Sequence, residues 1–204
     1  MDQLIQTHIQ HINDHHYKVV VSCQESFSRL ITIYNSRVLT YLDQIIPQLF
    51  INLTEGKEKV SASTNFLINL INKIYSGDEL LPHFLRSLES YSKIKYKTSM
   101  VEFMNILIRK YPLHKILSKL YSCETYFNSP SAIRVCITKF ANIIGELTST
   151  KSIVMPCLGM ILYLRDINLS ATIAAIGSLS NDLITKVTIF QLQFYEPFEF
   201  RFED

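Results

Sequence analysis

A basic residue that opens a helix recurs along this chain at nearly constant distance. Lys18-Val19, Lys59-Val60, Lys97-Thr98 and Arg134-Val135 each follow a short polar break, and successive members lie 41, 38 and 37 residues apart. The breaks are Asn13-Asp14-His15-His16, Thr54-Glu55-Gly56-Lys57, Ser90-Tyr91-Ser92-Lys93 and Asn128-Ser129-Pro130. Between them, apolar residues recur at helical spacing, as in Val19, Val20, Cys23, Phe27, Leu30 and Ile31, or Phe66, Leu67, Leu70, Ile71 and Ile74. The helices before the breaks share a second mark, an early proline, in Ile46-Pro47-Gln48-Leu49, Leu81-Pro82-His83-Phe84 and Met155-Pro156-Cys157-Leu158. Proline is accommodated in a first turn and bends a helix deeper in. A helix pair that repeats every ~40 residues cannot bury its apolar face alone, so successive pairs must stack.

Composition agrees with such an array. Hydrophobic residues make up 48% of the 204 and charged residues 19%, which supplies a core and excludes a mostly disordered chain. Five glycines and six prolines are too few for a turn-rich β-sandwich. Lys+Arg 20 against Asp+Glu 18 leaves a charge of +2, unlike the strongly basic domains that bind nucleic acid. No stretch approaches the ~18 consecutive apolar residues of a membrane span. The best, Ile153 to Leu164, is short and holds Pro156 and Gly159. Met1 to Asn13 lacks the apolar core of a signal peptide. Cys23, Cys123, Cys136 and Cys157 show no CxxC pairing and are expected to be buried, reduced thiols. Two glycosylation-type triplets, Asn52-Leu53-Thr54 and Asn168-Leu169-Ser170, carry no meaning without secretion. A cytoplasmic protein that binds neither nucleic acid nor membrane is expected.

Catalytic and metal chemistry find little support. There is no GxSxG elbow, P-loop or GxGxxG, and Glu102 and Glu146 stand isolated in apolar helical stretches. The chain is therefore not expected to be an enzyme. His8, His11, His15 and His16 crowd the first repeat, and His8 and His11 could share a helix face with a metal. No further ligand set accompanies them, so solvated or turn-capping histidines are expected, with no cofactor. His83 and His114 are read as structural.

The segment Ile45-Ile46-Pro47…Leu53-Thr54-Glu55…Lys59-Val60 resembles a HEAT repeat. That resemblance implies an all-α HEAT-repeat solenoid of about five helix pairs: Asp2–Tyr34, Ser36–Ser76, Asp78–Tyr111, Pro112–Thr148 and Lys151–Asp182. No linker or charge block interrupts it, so a single domain over 1–204 is expected. In such an array the turns within pairs share one edge. Lys18, Lys57 and Lys59, Lys93, Lys95 and Lys97, and Arg134 would line it, with Tyr17, Tyr91 and Tyr96 beside them. Cations oppose the helix dipole at an N-terminus, so their recurrence there needs a reason. A partner on this edge is one reason, and a lysine stem packed across the neighbouring helix is the other.

The array is also similar to the TOG domain, the HEAT-repeat paddle of microtubule-associated proteins. From His11-Ile12-Asn13-Asp14-His15-His16-Tyr17-Lys18 through Tyr111 it most resembles a CLASP-type domain from its second repeat onward. In that family the loops within repeats grip tubulin with basic residues. The resemblance implies αβ-tubulin, or another acidic protein surface, as partner. It points to Lys18, Lys57, Lys59, Lys95, Lys97 and Arg134 as contacts, with Tyr17 and Tyr96, and to a cytoskeletal location. The chain departs from the family in having about five repeats rather than six, no tryptophan, and no basic residue at the fifth turn, Asp166-Ile167-Asn168-Leu169-Ser170. Either a first repeat is missing or the family is a more distant HEAT type. The alternative function is a HEAT adaptor that binds a protein or peptide on its concave face. The C-terminal segment, 187–204, ends in Phe198-Glu199-Phe200-Arg201-Phe202, which alternates at strand period. It is read as a cap on the last repeat or as a docking tail for a partner or a second copy.

Overall fold

The computed structural model describes residues 2–89, 93–109, 129–146 and 151–194. Those residues are all-α, with no strand among them. Chain contacts divide the protein into two compact units, Met1–Lys110 and Tyr111–Asp204.

The first unit holds α1 (Asp2–His11), α2 (Tyr17–Ile33), the short α3 (Asn35–Leu39), α4 (Leu42–Glu55), α5 (Glu58–Ile74), α6 (Gly77–Glu89) and α7 (Ile94–Arg109). The pairs α1/α2, α4/α5 and α6/α7 match the first three repeats expected from the sequence. Within the stack α2 lies against α5 and α4 against α6, so like helices of successive pairs are neighbours. Phe50 of α4 and Phe84 of α6 meet edge to face at 5.7 Å, and Phe103 of α7 lies 5.3 Å from Phe84. Offset and edge-on geometries suit the ring quadrupoles, and each fully buried side chain of this size adds ~1.5–3 kcal/mol. Pro47 and Pro82 both fall at the sixth position of their helices, where the apolar stripe continues past them.

The repeat is written into the polar contacts as well. The Asn52 side-chain amide donates to the Ile12 carbonyl at 2.7 Å, and Gln24 Nε2 donates to Thr64 Oγ1 at 2.8 Å. The Tyr75 hydroxyl donates to the Asn35 carbonyl at 2.7 Å, and His83 Nδ1 donates to the Asp43 carboxylate at 2.8 Å. In each bond the partners are 40 residues apart, so one structural repeat separates them.

The second unit, among its described residues, contains α8 (Pro130–Glu146), α9 (Lys151–Ile167), α10 (Leu169–Gly177) and α11 (Asn181–Phe194). Helix α8 packs on all three others and buries Ile133, Ile137, Phe140, Ala141 and Ile144. Proline opens it at the first helical position, where a missing N–H costs nothing. The expected fifth pair is α9/α10, with Pro156 again at the sixth position. Helix α11 continues from the expected end of that pair through residues 187–194, which the sequence assigned to a cap or tail. The Phe198–Phe202 stretch, Tyr91, His114, Cys123 and the first helix expected in the fourth pair lie outside the described residues.

Three cysteines are buried thiols, as expected. Burial raises Cys23 to about 11 and Cys136 to about 12, and pushes Cys157 higher still. Both glycosylation-type asparagines do structural work. Asn52 is only 8% exposed, and the Asn168 side chain caps α10 by accepting from the Ala171 N–H at 3.0 Å. No helix among the described residues is long and apolar enough to cross a membrane.

Candidate protein-binding edge

The starts of α2, α5 and α7 follow the turns within the first three pairs. Each places a lysine at its second residue: Lys18, Lys59 and Lys95. The equivalent lysine of the third pair is thus Lys95, while Lys97 sits half a turn further on and is half-buried. The sequence spacing alone had aligned Lys97 with Lys59. The first turns of α2 and α7 carry no acidic residue, and α5 carries Glu58.

These cations are not equivalent. Lys57 precedes α5, and its ammonium lies 5.0 Å from the centroid of the Tyr17 ring, joining the second turn to the first. A cation over an aromatic face is worth ~0.5–1 kcal/mol at an exposed site. Tyr17 in turn stacks on His16 at 5.5 Å. Lys95 donates to the Thr54 carbonyl near the end of α4, joining the third pair to the second. Both side chains therefore bridge neighbouring repeats, again 40 and 41 residues apart. Lys18 and Lys59 are exposed and, among the described residues, make no hydrogen bond or ion pair.

Tyr96 corrects the expectation of an exposed aromatic. It is 3% exposed, and Lys93 Nζ donates to its hydroxyl at 3.4 Å while lying 5.4 Å from its ring centroid. Its ring belongs to the packing of α7, so it offers a partner no surface. Arg134 is the fifth residue of α8 in the second unit and is exposed.

Sequence reasoning missed the residues that fix the turns. Gly56 ends α4 with its N–H donating to the Asn52 carbonyl at 3.0 Å. A Cβ there would stand 2.2 Å from that carbonyl and 2.9 Å from Val60 Cγ1, so the close approach of α4 and α5 requires glycine. The Asn13 amide donates to Gln48 Oε1, a second tie from the first turn to α4. For bonds such as Asn52 to Ile12 a partner 40 residues away was the available signal once the repeat length had been fixed, whereas Asn13 and Gln48, 35 residues apart, gave none.

The histidines resolve into separate roles. His8 Nδ1 donates to the Leu4 carbonyl at 2.8 Å, which leaves Nε2 to accept from Ser26 Oγ at 2.9 Å when the ring is neutral. His11 donates to Asp14 at 3.3 Å, and Asp14 also accepts from the His16 N–H at 2.9 Å. Those bonds hold the Asp14 carboxyl below its usual range, the His16 N–H contributing most. Among the described residues no group of three or more histidines, cysteines or carboxylates is placed to hold a metal ion. His83 does not stand alone: with Arg86, whose Nε donates at 2.9 Å, it engages Asp43 across α4 and α6.

No family model matches the chain. Over 102 residues, 50% of this chain, the sequence is 28% identical to the CLIP-associated protein of Arabidopsis thaliana. The matched region is 7% of that relative, so this chain corresponds to a small part of its length.

Proposed function

We propose that the chain is a non-catalytic, TOG-like tubulin-binding domain that acts in the regulation of microtubules at the cytoskeleton. The observation that carries the reading is the pair Lys18 and Lys59, at equivalent positions of successive repeats on a tied row of turns and without a hydrogen bond or ion pair among the described residues. Similarity to the Arabidopsis CLIP-associated protein supports the same reading. The mechanism is electrostatic and geometric. Free cations steer an acidic protein surface into place, and the bridges from Lys57 and Lys95 hold the turns so that little ordering is left to do on binding.

The test is size-exclusion co-elution with unpolymerised αβ-tubulin at low and moderate salt. Lys18→Glu with Lys59→Glu replaces attraction by repulsion at two sites. A loss of ~1.5–3 kcal/mol, or roughly ten- to a hundredfold in affinity, is expected with helicity unchanged. Co-elution of the double variant at the wild-type level sinks the tubulin reading.

A protein-binding adaptor is the second reading, and one observation favours it. Phe66 of α5 and Ile106 of α7 are 64% and 53% exposed. Two large apolar side chains on the second helices of successive pairs suit an apolar partner. Phe66→Asp with Ile106→Asp should abolish that interaction and leave tubulin co-elution intact.

A further inference from the structure

The first helix pair holds a groove that shares Lys18 with the proposed tubulin contacts. It opens between α1 and α2, has a volume of about 520 Å³, and is walled by His8, His11, His16, Lys18, Val19 and Cys23. That volume lies within the range of ordinary ligand pockets. Its floor is apolar. Val19 is 39% exposed although branched and hydrophobic, and the Cys23 thiol donates to the His8 carbonyl at 3.2 Å. Burial keeps that thiol protonated through the physiological range, so the floor carries no charge.

The rim has the opposite character. Three imidazoles and the Lys18 ammonium stand on it, and no carboxylate is among the described lining residues. The nearest acid on the connecting turn, Asp14, is already engaged by His11 and by the His16 N–H. The His8 ring is fixed by Leu4 and Ser26 and packs 5.9 Å from Phe27, so that wall is preformed. Any ligand complementary to this arrangement has an apolar group for the floor and anionic groups for the rim.

We propose that the α1/α2 groove is a docking site for a short acidic peptide segment that inserts one apolar side chain between its carboxylates. One carboxylate pairs with Lys18, another accepts from the His16 ring, and the apolar side chain covers Val19. A segment that orders on binding gives up conformational entropy, so a weak, salt-sensitive interaction is the expected kind. The site does not depend on the tubulin reading, although Lys18 belongs to both.

Fluorescence anisotropy of the full chain with a labelled Glu-rich peptide carrying one central Phe tests the proposal. Saturable binding is expected at low salt. Replacing the Phe by Ala, or the Glu residues by Gln, should weaken it about tenfold or more. Val19→Glu, on an exposed helix position, should abolish peptide binding, with circular dichroism confirming the fold. Lys59→Glu, outside the groove, should leave peptide binding unchanged. Equal binding of the Phe and Ala peptides would overturn the proposal, since charge alone would then account for it. Persistence of binding in the Val19→Glu variant would overturn it too, as would preference for vesicles of anionic lipid over the peptide.

Discussion

Asp43 illustrates how a single side chain in this chain is set by its repeat rather than by its neighbours in sequence. Desolvation at the α4/α6 seam raises its carboxyl, but hydrogen bonds from Arg86 and His83 outweigh that and hold it below the usual range. A depressed carboxyl adds stability above the unfolded-state value near 3.9 and loses it as pH falls through the lower folded value. Asp43→Asn should therefore melt earlier at neutral pH and converge with wild type in strong acid. The pair is partly exposed, so ~0.2–1 kcal/mol is expected, or a shift of about 1–3 °C, measured by thermal melts from acid to neutral pH. None of this was legible at Asp43 itself, because His83 and Arg86 lie a full repeat away. The same holds for the tyrosines. Tyr17 and Tyr96 look alike in sequence, each beside a lysine at a helix start, yet Tyr17 carries a cation on its face and Tyr96 is enclosed. The lysine beside each tyrosine in sequence does not distinguish the two environments.

Helix periodicity and the breaks made the elements readable in advance. The starts of α2, α5 and α8 coincide with the expected polar turns, since short stretches of Asn, Asp, Gly and Ser interrupt otherwise continuous apolar stripes. What stayed hidden was how the turns are fastened. Asn52 reads as half of a glycosylation triplet, but its buried amide joins the end of α4 to the first turn through Ile12. Asn52→Ala should leave that carbonyl unsatisfied and cost ~1–3 kcal/mol in urea unfolding, whereas the exposed Asn65→Ala should stay within about 0.5 kcal/mol. Gly56→Ala attacks the same junction sterically. The added Cβ meets the Asn52 carbonyl and Val60, so the second turn must shift, at an expected cost of ~1–3 kcal/mol. Because Lys57 and Lys59 ride on that turn, tubulin affinity should fall in this variant even where the protein remains folded. Retained affinity in a folded Gly56→Ala chain would show that turn geometry matters less than charge.

At the scale of the whole chain, the sequence presents four basic helix starts as one series, and contacts sort them into two units. Lys18, Lys59 and Lys95 belong to the first, Arg134 to the second. Solution measurements can ask whether one partner engages both. Contacts made independently to the same partner contribute free energies that add within ~0.3–0.5 kcal/mol. Arg134→Glu should accordingly lower tubulin affinity on its own, and lower it by the same factor in the Lys18→Glu, Lys59→Glu background. Salt supplies the control. The Debye length falls from ~10 Å at 0.1 M to ~3 Å at 1 M, so all three reversals should lose most of their effect as salt rises. Helicity should not change, because Arg134 is exposed and lies outside the Ile133, Ile137 and Phe140 face that α8 buries. If Arg134→Glu leaves affinity untouched while the double reversal abolishes it, the binding edge ends with the first unit. The second unit then owes its place to packing or to a different partner.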